Sequence, residues 1–252
     1  MRARNICVTV IAAVLALGAA GYCGYVFCAD LYGELHIAAL IAIFVAILAV
    51  GTIVVELAHE CAHLLMGLCC SMGVRSVKIR FFKSSSVDVY PKGAKRMKAR
   101  LGLTVCAWLF ADLLLMALGL VALFVEAVPT SLAAVLPYAL YQFVVNAFTA
   151  AYSGGKSDGQ VIFEVLKGDP SALVLLAILR VQGMVHEGTK LEDIDEGLLT
   201  DLPQLPEDDI NFIILTQIRY EYYLTKGDKE KADKYLERFN SLSEYLPDEY
   251  KK

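Results

Sequence analysis

The sequence predicts a mainly α-helical protein: a polytopic membrane bundle of about four transmembrane helices, a short cytoplasmic β-hairpin and a C-terminal soluble helical hairpin. Three observations predict this class. Of the 252 residues 57% are apolar and 20% charged, whereas a soluble domain carries about 45–50% apolar residues even with glycine counted in. The charge is unevenly shared, since the stretch from Gln182 to Lys252 holds 17 acids and 9 bases, more than half of all charged side chains. Apolar runs near the length of about 20 residues that crosses a bilayer recur through the first 152 positions. With a net charge of −4 and no basic stripe beyond one short loop, a nucleic-acid partner is excluded.

The first helix is expected over residues 6–28, behind Arg2 and Arg4. Small residues around Gly18 to Gly21 also fit a cleaved signal peptide, but a retained helix is preferred. The second begins at Ile37, is apolar without interruption to Val55, and continues through a polar patch into residues 64–70. The third covers residues 101–125 and the fourth roughly residues 131–152. Between the second and third, residues 74–100 hold nine bases against one acid, Asp88, which places this loop in the cytoplasm by the positive-inside rule. The second helix then ends in the cytoplasm, the third leaves, the fourth returns, and the acidic tail is cytoplasmic. Three regions follow: 1–36, the first helix and a short external loop; 37–166, a membrane core; 167–252, a soluble tail.

All seven cysteines (Cys7, Cys23, Cys28, Cys61, Cys69, Cys70 and Cys106) lie in the apolar portion, and no spacing among them fits a zinc ribbon or a disulfide framework. They read as small membrane-buried hydrophobes, with lipidation of Cys69 and Cys70 near a helix end as the other reading.

Inside the basic loop, Val77, Ile79 and Phe81 alternate with Lys78, Arg80 and Phe82, and Val87, Val89 and Tyr90 follow a serine-rich turn before Pro91. This pattern predicts two short strands. Two readings stand side by side: a hairpin on the membrane surface with its bases toward headgroups, or an exposed edge that pairs with an extended peptide. Residues 160–166 and 171–181 are short helical segments broken by Gly168 and Pro170, too short to span a bilayer. In the tail, Pro206 to Asp209 opens a helix reaching about Thr225. Gly227 and Asp228 turn the chain, and Ala232, Tyr235, Leu236, Phe239, Leu242 and Leu246 recur at helical spacing. The Gly-Asp turn and following alanine resemble one tetratricopeptide unit, a helical packing module that offers a surface for a protein partner.

The chemistry sits in the second helix, where residues 56–63 read Glu-Leu-Ala-His-Glu-Cys-Ala-His. His59 and His63 lie about 40° apart and one turn along the helix, so both imidazoles reach one metal ion. Glu60, about 60° from His63, is on the side where it can take a proton from a water on that ion, while Cys61 is turned away and excluded as a ligand. Polar groups of this kind in an apolar helix need compensation, which a divalent metal supplies. Zinc in a catalytic site needs a third protein ligand and an open position. His36 lies roughly 34 Å from His59 along the helix. Asp112 sits about 17 Å in from Leu101, deeper than the expected position of the histidines, and is read as a bundle-facing hydrogen-bond partner. Asp158, just past the fourth helix in Gly-Gly-Lys-Ser-Asp-Gly, is selected by depth. Glu56 falls on the metal-facing side one turn before Glu60, either oriented on the site or simply solvated.

The chain resembles the site-2 protease family of membrane-embedded zinc metallopeptidases, in which a His-Glu-x-x-His helix is joined by an aspartate from an Asn-x-x-Pro … Asp-Gly motif on a later helix. The second motif is Asn146-Ala147-Phe148-Thr149 followed by Ser157-Asp158-Gly159 here, with Thr149 in the proline position and a longer spacing. The resemblance covers about residues 37–166. It implies Zn2+ held by His59, His63 and Asp158, Glu60 as general base, and Asn146 orienting substrate or its developing oxyanion. The expected activity is hydrolysis of peptide bonds in membrane-anchored proteins or peptides near the cytoplasmic face, either in regulated intramembrane proteolysis or in precursor or signal-peptide processing. The expected location is a bacterial cell membrane. The rival readings are a catalytically inactive membrane scaffold recruiting partners through its helical tail, and a transporter. The latter is disfavoured because only Asp112, Gln142 and Asn146 lie deeper in the bilayer.

Overall fold

The computed structural model describes residues 2–78, 85–148, 151–152 and 155–245. The protein is mainly helical and its chain divides into two compact units. The first comprises Met1–Met66, Ser76–Asp88 and Leu103–Phe163, and the second Gly67–Arg75, Val89–Gly102 and Glu164–Lys252.

Among the described residues three helices are long and apolar enough to cross a membrane: α1 (Arg2–Asp30), α2 (Ile37–Cys69) and α3 (Met97–Phe124). At about 1.5 Å per residue each exceeds the roughly 30 Å of a hydrocarbon core. Their outer faces carry large apolar side chains such as Leu17, Phe110 and Leu114, 70–72% exposed. Such faces are unfavourable in water and suited to lipid. The chain reads as a membrane protein on these grounds.

The fourth expected helix takes a different form. Residues Thr130–Val135 are a 3-10 helix that passes into α4 (Leu136–Ala147). The 12 residues of α4 reach about 18 Å, short of a bilayer. Pro137 occupies the first turn of α4, where a missing N–H breaks no helical bond. Phe148 turns to an extended conformation and ends α4. Instead of continuing the helix to Tyr152, the chain forms strand β3, which appears below with its partner.

The first unit is held by three apolar clusters. Val8 and Ala12 of α1 meet Val144 of α4. Cys23 and Phe27 of α1 join Leu40 and Phe44 of α2, Ala122 of α3 and Leu136 of α4. Val55 of α2 packs with Val135 and Ala139.

After α2, Ser71 adopts a left-handed conformation with φ 57°, and strand β1 (Met72–Lys78) begins at once. It pairs with β2 (Ser86–Pro91) in a two-stranded sheet. The strand starts four residues before the alternating pattern does, because the turn at Ser71 releases the chain directly into it. Residues 79–84, with the rest of the expected first strand and the first serine of the turn, lie outside the described residues, while Ser86, expected in the turn, already opens β2. Further along, β3 (Ala151–Tyr152) pairs antiparallel with β4 (Gly155–Lys156). The Gly154–Gly155 pair in the sequence is the turn signal that the helical expectation for this stretch passed over.

Helices α5 (Asp158–Lys167) and α6 (Pro170–His186) follow, α6 starting on an Asp169 cap whose carboxylate accepts from the Ser171 N–H. The short α7 (Gly197–Thr200) leads to the expected helical hairpin, α8 (Ile210–Thr225) and α9 (Lys229–Leu242). Asp209 and Asp228 cap the two helices, and Gly227 turns the chain between them at φ +80°, a conformation costly for other residues. Val174, Ile178 and Val181 of α6 pack with Leu199, Ile213, Tyr222, Ala232 and Leu242 in one core. The second unit takes in residues 67–75 and 89–102 as well as 164–252, so it draws on the basic loop besides the tail.

Candidate metal centre

Helix α2 presents His59 and His63 on one face, one turn apart, as the helical period requires. Their rings meet edge to face with centroids 5.0 Å apart. The Asp158 side chain arrives from the first turn of α5. Its Oδ2 lies 3.4 Å from His59 Nε2 and 3.2 Å from His63 Nε2. His59 is buried and the other two are half-buried.

Asp158 reaches this point because of its neighbours in the chain. The Ser157 hydroxyl donates to the Phe148 carbonyl and accepts from the Gln160 N–H, which ties the start of α5 to the end of α4. Gly159 lies so close to α4 that a Cβ there would come within 2.2 Å of the Asn146 carbonyl oxygen and 3.0 Å of that of Ala147. The Ser-Asp-Gly sequence is therefore a packing device as well as a ligand carrier.

The outer nitrogens of the two histidines are both engaged. His63 Nδ1 is 2.8 Å from the Thr104 carbonyl oxygen, and His59 Nδ1 is 3.4 Å from Asp112 Oδ1. A carbonyl oxygen only accepts, so His63 Nδ1 carries the hydrogen. In the neutral ring Nε2 then presents a lone pair to a carboxylate oxygen. Such an approach is repulsive unless a cation lies between the two. Protons on both rings would answer it, but two imidazolium charges about 5 Å apart repel by roughly 3 kcal/mol even at an effective dielectric constant of 20. One divalent ion satisfies both nitrogens and the carboxylate together. The separations fit: ligand bonds of about 2.0–2.1 Å around a tetrahedral ion put neighbouring donor atoms about 3.4 Å apart. His59, His63 and Asp158 thus form a group that can hold a metal ion.

Glu60 makes no hydrogen bond to a described residue and lies within electrostatic reach of His59, His63 and Asp158. Cys61 is exposed and takes no part in the group, as its direction on the helix requires. Asn146 is not brought into the cluster through its side chain: its amide donates to Gln142 Oε1 at 3.3 Å, while its backbone carbonyl backs Gly159. Thr149 lies outside the described residues.

Two acids left open by the sequence acquire partners. The Glu56 carboxylate accepts from the Tyr138 hydroxyl at 3.0 Å, the Gln142 amide at 2.6 Å and the Ser85 N–H at 3.2 Å. Half-buried and bonded to neither histidine, it ties α2 to α4 and to the residue preceding β2. Asp112, with no exposed surface, pairs with His59. The depth difference expected between them does not keep them apart: His59 lies about 15 Å from the end of α2 at Cys69 and Asp112 about 22 Å from the start of α3 at Met97, yet the two side chains meet.

Sequence reasoning missed the contribution of Thr104, whose backbone oxygen serves His63, and of Trp108, whose ring stacks on His59 at 6.1 Å. Their spacing from Asp112 along α3, one turn for Trp108 and two for Thr104, was the available signal. Neither a family model nor a curated protein nor a solved structure matches the chain.

Proposed function

We propose that this protein is an intramembrane zinc metalloendopeptidase of the site-2 protease kind, which hydrolyses peptide bonds of membrane-anchored proteins or peptides. The observation that carries the reading is the convergence of His59 Nε2, His63 Nε2 and Asp158 Oδ2, with a carboxylate, Glu60, next to His59 on α2. A structural metal site would be closed by a fourth protein ligand. Among the described residues the group comprises three, the number that leaves a position for water and substrate.

Bound there, zinc would supply a Lewis acid that polarises a scissile carbonyl and makes water a better nucleophile at neutral pH. Glu60 removes the proton of the attacking water and returns it to the departing amine nitrogen. The apolar helices around the site keep bulk water from competing, so each charge acts at greater strength. An extended substrate is required, because a helical segment hides its carbonyls in its own hydrogen bonds. The β1–β2 sheet is the candidate edge for pairing with it. Asn146 orients the substrate in this reading by exchanging its bond to Gln142 for one to the substrate carbonyl. In this reading the basic loop at residues 74–100 is cytoplasmic by the positive-inside rule, the site lies toward that side, and the protein is a multi-pass protein of a bacterial cell membrane. The helical tail offers a surface for a protein partner.

The test is Glu60→Gln in cells expressing a tethered membrane substrate, with the zinc content of the purified protein measured alongside. The reading predicts an uncleaved substrate and unchanged zinc. Continued cleavage by the zinc-loaded variant would remove Glu60 from its role, and a tail-dependent phenotype that survives it would favour the inactive scaffold.

A further inference from the structure

We infer that Asp112 is a positioning residue of the metal centre: it accepts the His59 Nδ1 hydrogen and thereby sets the nitrogen that His59 offers to the cation. The inference rests on the metal reading above and adds to it a residue that touches neither metal nor substrate.

The geometry on α3 supports this assignment. Thr104, Trp108 and Asp112 are spaced four residues apart and share one face of the helix. Each meets a metal-site histidine: the Thr104 carbonyl at His63 Nδ1, the Trp108 ring over His59, and Asp112 Oδ1 at His59 Nδ1. With both Nδ1 atoms held by acceptors, both Nε2 atoms face Asp158. Helix α3 therefore selects the same tautomer in each histidine. The two supports differ in kind, a neutral carbonyl for His63 and a carboxylate for His59. A carboxylate fixes the ring and raises the electron density of the ligating nitrogen, so His59 is the better donor of the pair.

A purely architectural role for Asp112 fits less well. The residue is fully buried, and its second oxygen, Oδ2, has no hydrogen-bond partner among the described residues. A buried carboxylate engaged through one oxygen is a net cost to folding. Its one partner is a metal-site histidine, so the return on that cost lies in the site.

The protein supplies its own reporter, since Trp108 is the sole tryptophan in the chain. Zinc is titrated into metal-free, full-length protein in detergent and followed by Trp108 fluorescence, for wild type, Asp112→Ala and Asp112→Asn. Metal-free melting temperatures are measured in parallel. The Ala variant is expected to bind zinc about 10–100-fold more weakly. The Asn variant should fall between, because its amide oxygen still accepts the Nδ1 hydrogen without the charge. In cobalt(II)-loaded protein the visible d–d bands of the Asn variant should shift, a signature that a packing defect would not produce. Should the Ala variant fail to fold, the isosteric Asn variant decides the matter. Zinc affinity within twofold of wild type in both variants, or in Asn alone if Ala is unfolded, with unshifted cobalt bands, would overturn the role of Asp112 and leave the metal reading intact. A wild-type protein that binds no zinc would overturn both.

Discussion

At His63 the Thr104 carbonyl accepts the Nδ1 hydrogen at 2.8 Å, which leaves Nε2 as a lone pair 3.2 Å from an aspartate oxygen. Removing that ring removes one of three donors. His63→Ala is therefore expected to weaken zinc binding by more than about 100-fold, beyond the loss typical of outer partners. Equilibrium dialysis against a zinc buffer checks it. A second prediction concerns Glu196 in the tail. The Tyr223 hydroxyl donates to it at 2.7 Å, and this bond, with Lys226 and Lys231 nearby, holds its carboxyl below the ordinary value of 4.5. A carboxyl lowered in the folded state stabilises the fold above its unfolded value, and that contribution is lost as pH falls through the lower folded value. Glu196→Gln should thus make amide exchange in α8 faster at pH 7, with the difference from wild type shrinking as pH falls below 4.5 and through the lower folded value. A difference that persists or grows in acid would contradict the sign. The His-Glu-x-x-His pair was legible in the sequence because ligands one turn apart on a helix meet by helical geometry alone. Asp112 was legible as a buried partner, but not whose partner, because that depends on how α3 packs against α2, a contact between positions 53 residues apart.

Glu56 shows how an element is held rather than how a reaction runs. Its carboxylate gathers donors from Tyr138, Gln142 and Ser85. In Glu56→Ala the donors from α4 lose their partner, which should cost about 1–3 kcal/mol of stability while zinc affinity stays within about twofold of wild type. A thermal melt and a zinc titration on the same preparation separate the two. A large loss of zinc affinity would mean that Glu56 acts on the site. In the tail, Tyr222 is fully buried and its hydroxyl donates to the Ile194 carbonyl at 3.2 Å. Tyr222→Phe should cost about 1 kcal/mol and Tyr222→Ala about 3–5 kcal/mol, read from amide exchange over α8 and α9 in the full chain. The α8–α9 hairpin was legible because its caps, Asp209 and Asp228, and the turn at Gly227 are local signals. The end of α4 was misjudged for the opposite reason. The apolar run continues past Ala147, and the antiparallel pairing of residues 151–152 with 155–156 that replaces the helix is a contact that an apolar count does not register.

Across the whole molecule, the apolar excess of the sequence resolves, among the described residues, into three membrane-length helices, with the His59, His63 and Asp158 group and the Glu56 network as polar clusters inside the first unit. The second unit owes its core to α6, α8 and α9 with Ile194, Leu199 and Leu205 between them. A ligand that binds the folded state alone stabilises it by mass action, so a chelator should lower the melting temperature of the first unit selectively. The central claim is that His59, His63 and Asp158 hold one zinc ion. The most direct measurement is the zinc-to-protein ratio of the purified full-length chain by inductively coupled plasma mass spectrometry, for wild type and for a His59→Ala/His63→Ala double variant, after equilibration with sub-micromolar free zinc. The account predicts one zinc per wild-type chain and close to none in the double variant. Equal ratios in the two proteins, or no bound zinc in wild type, would contradict it.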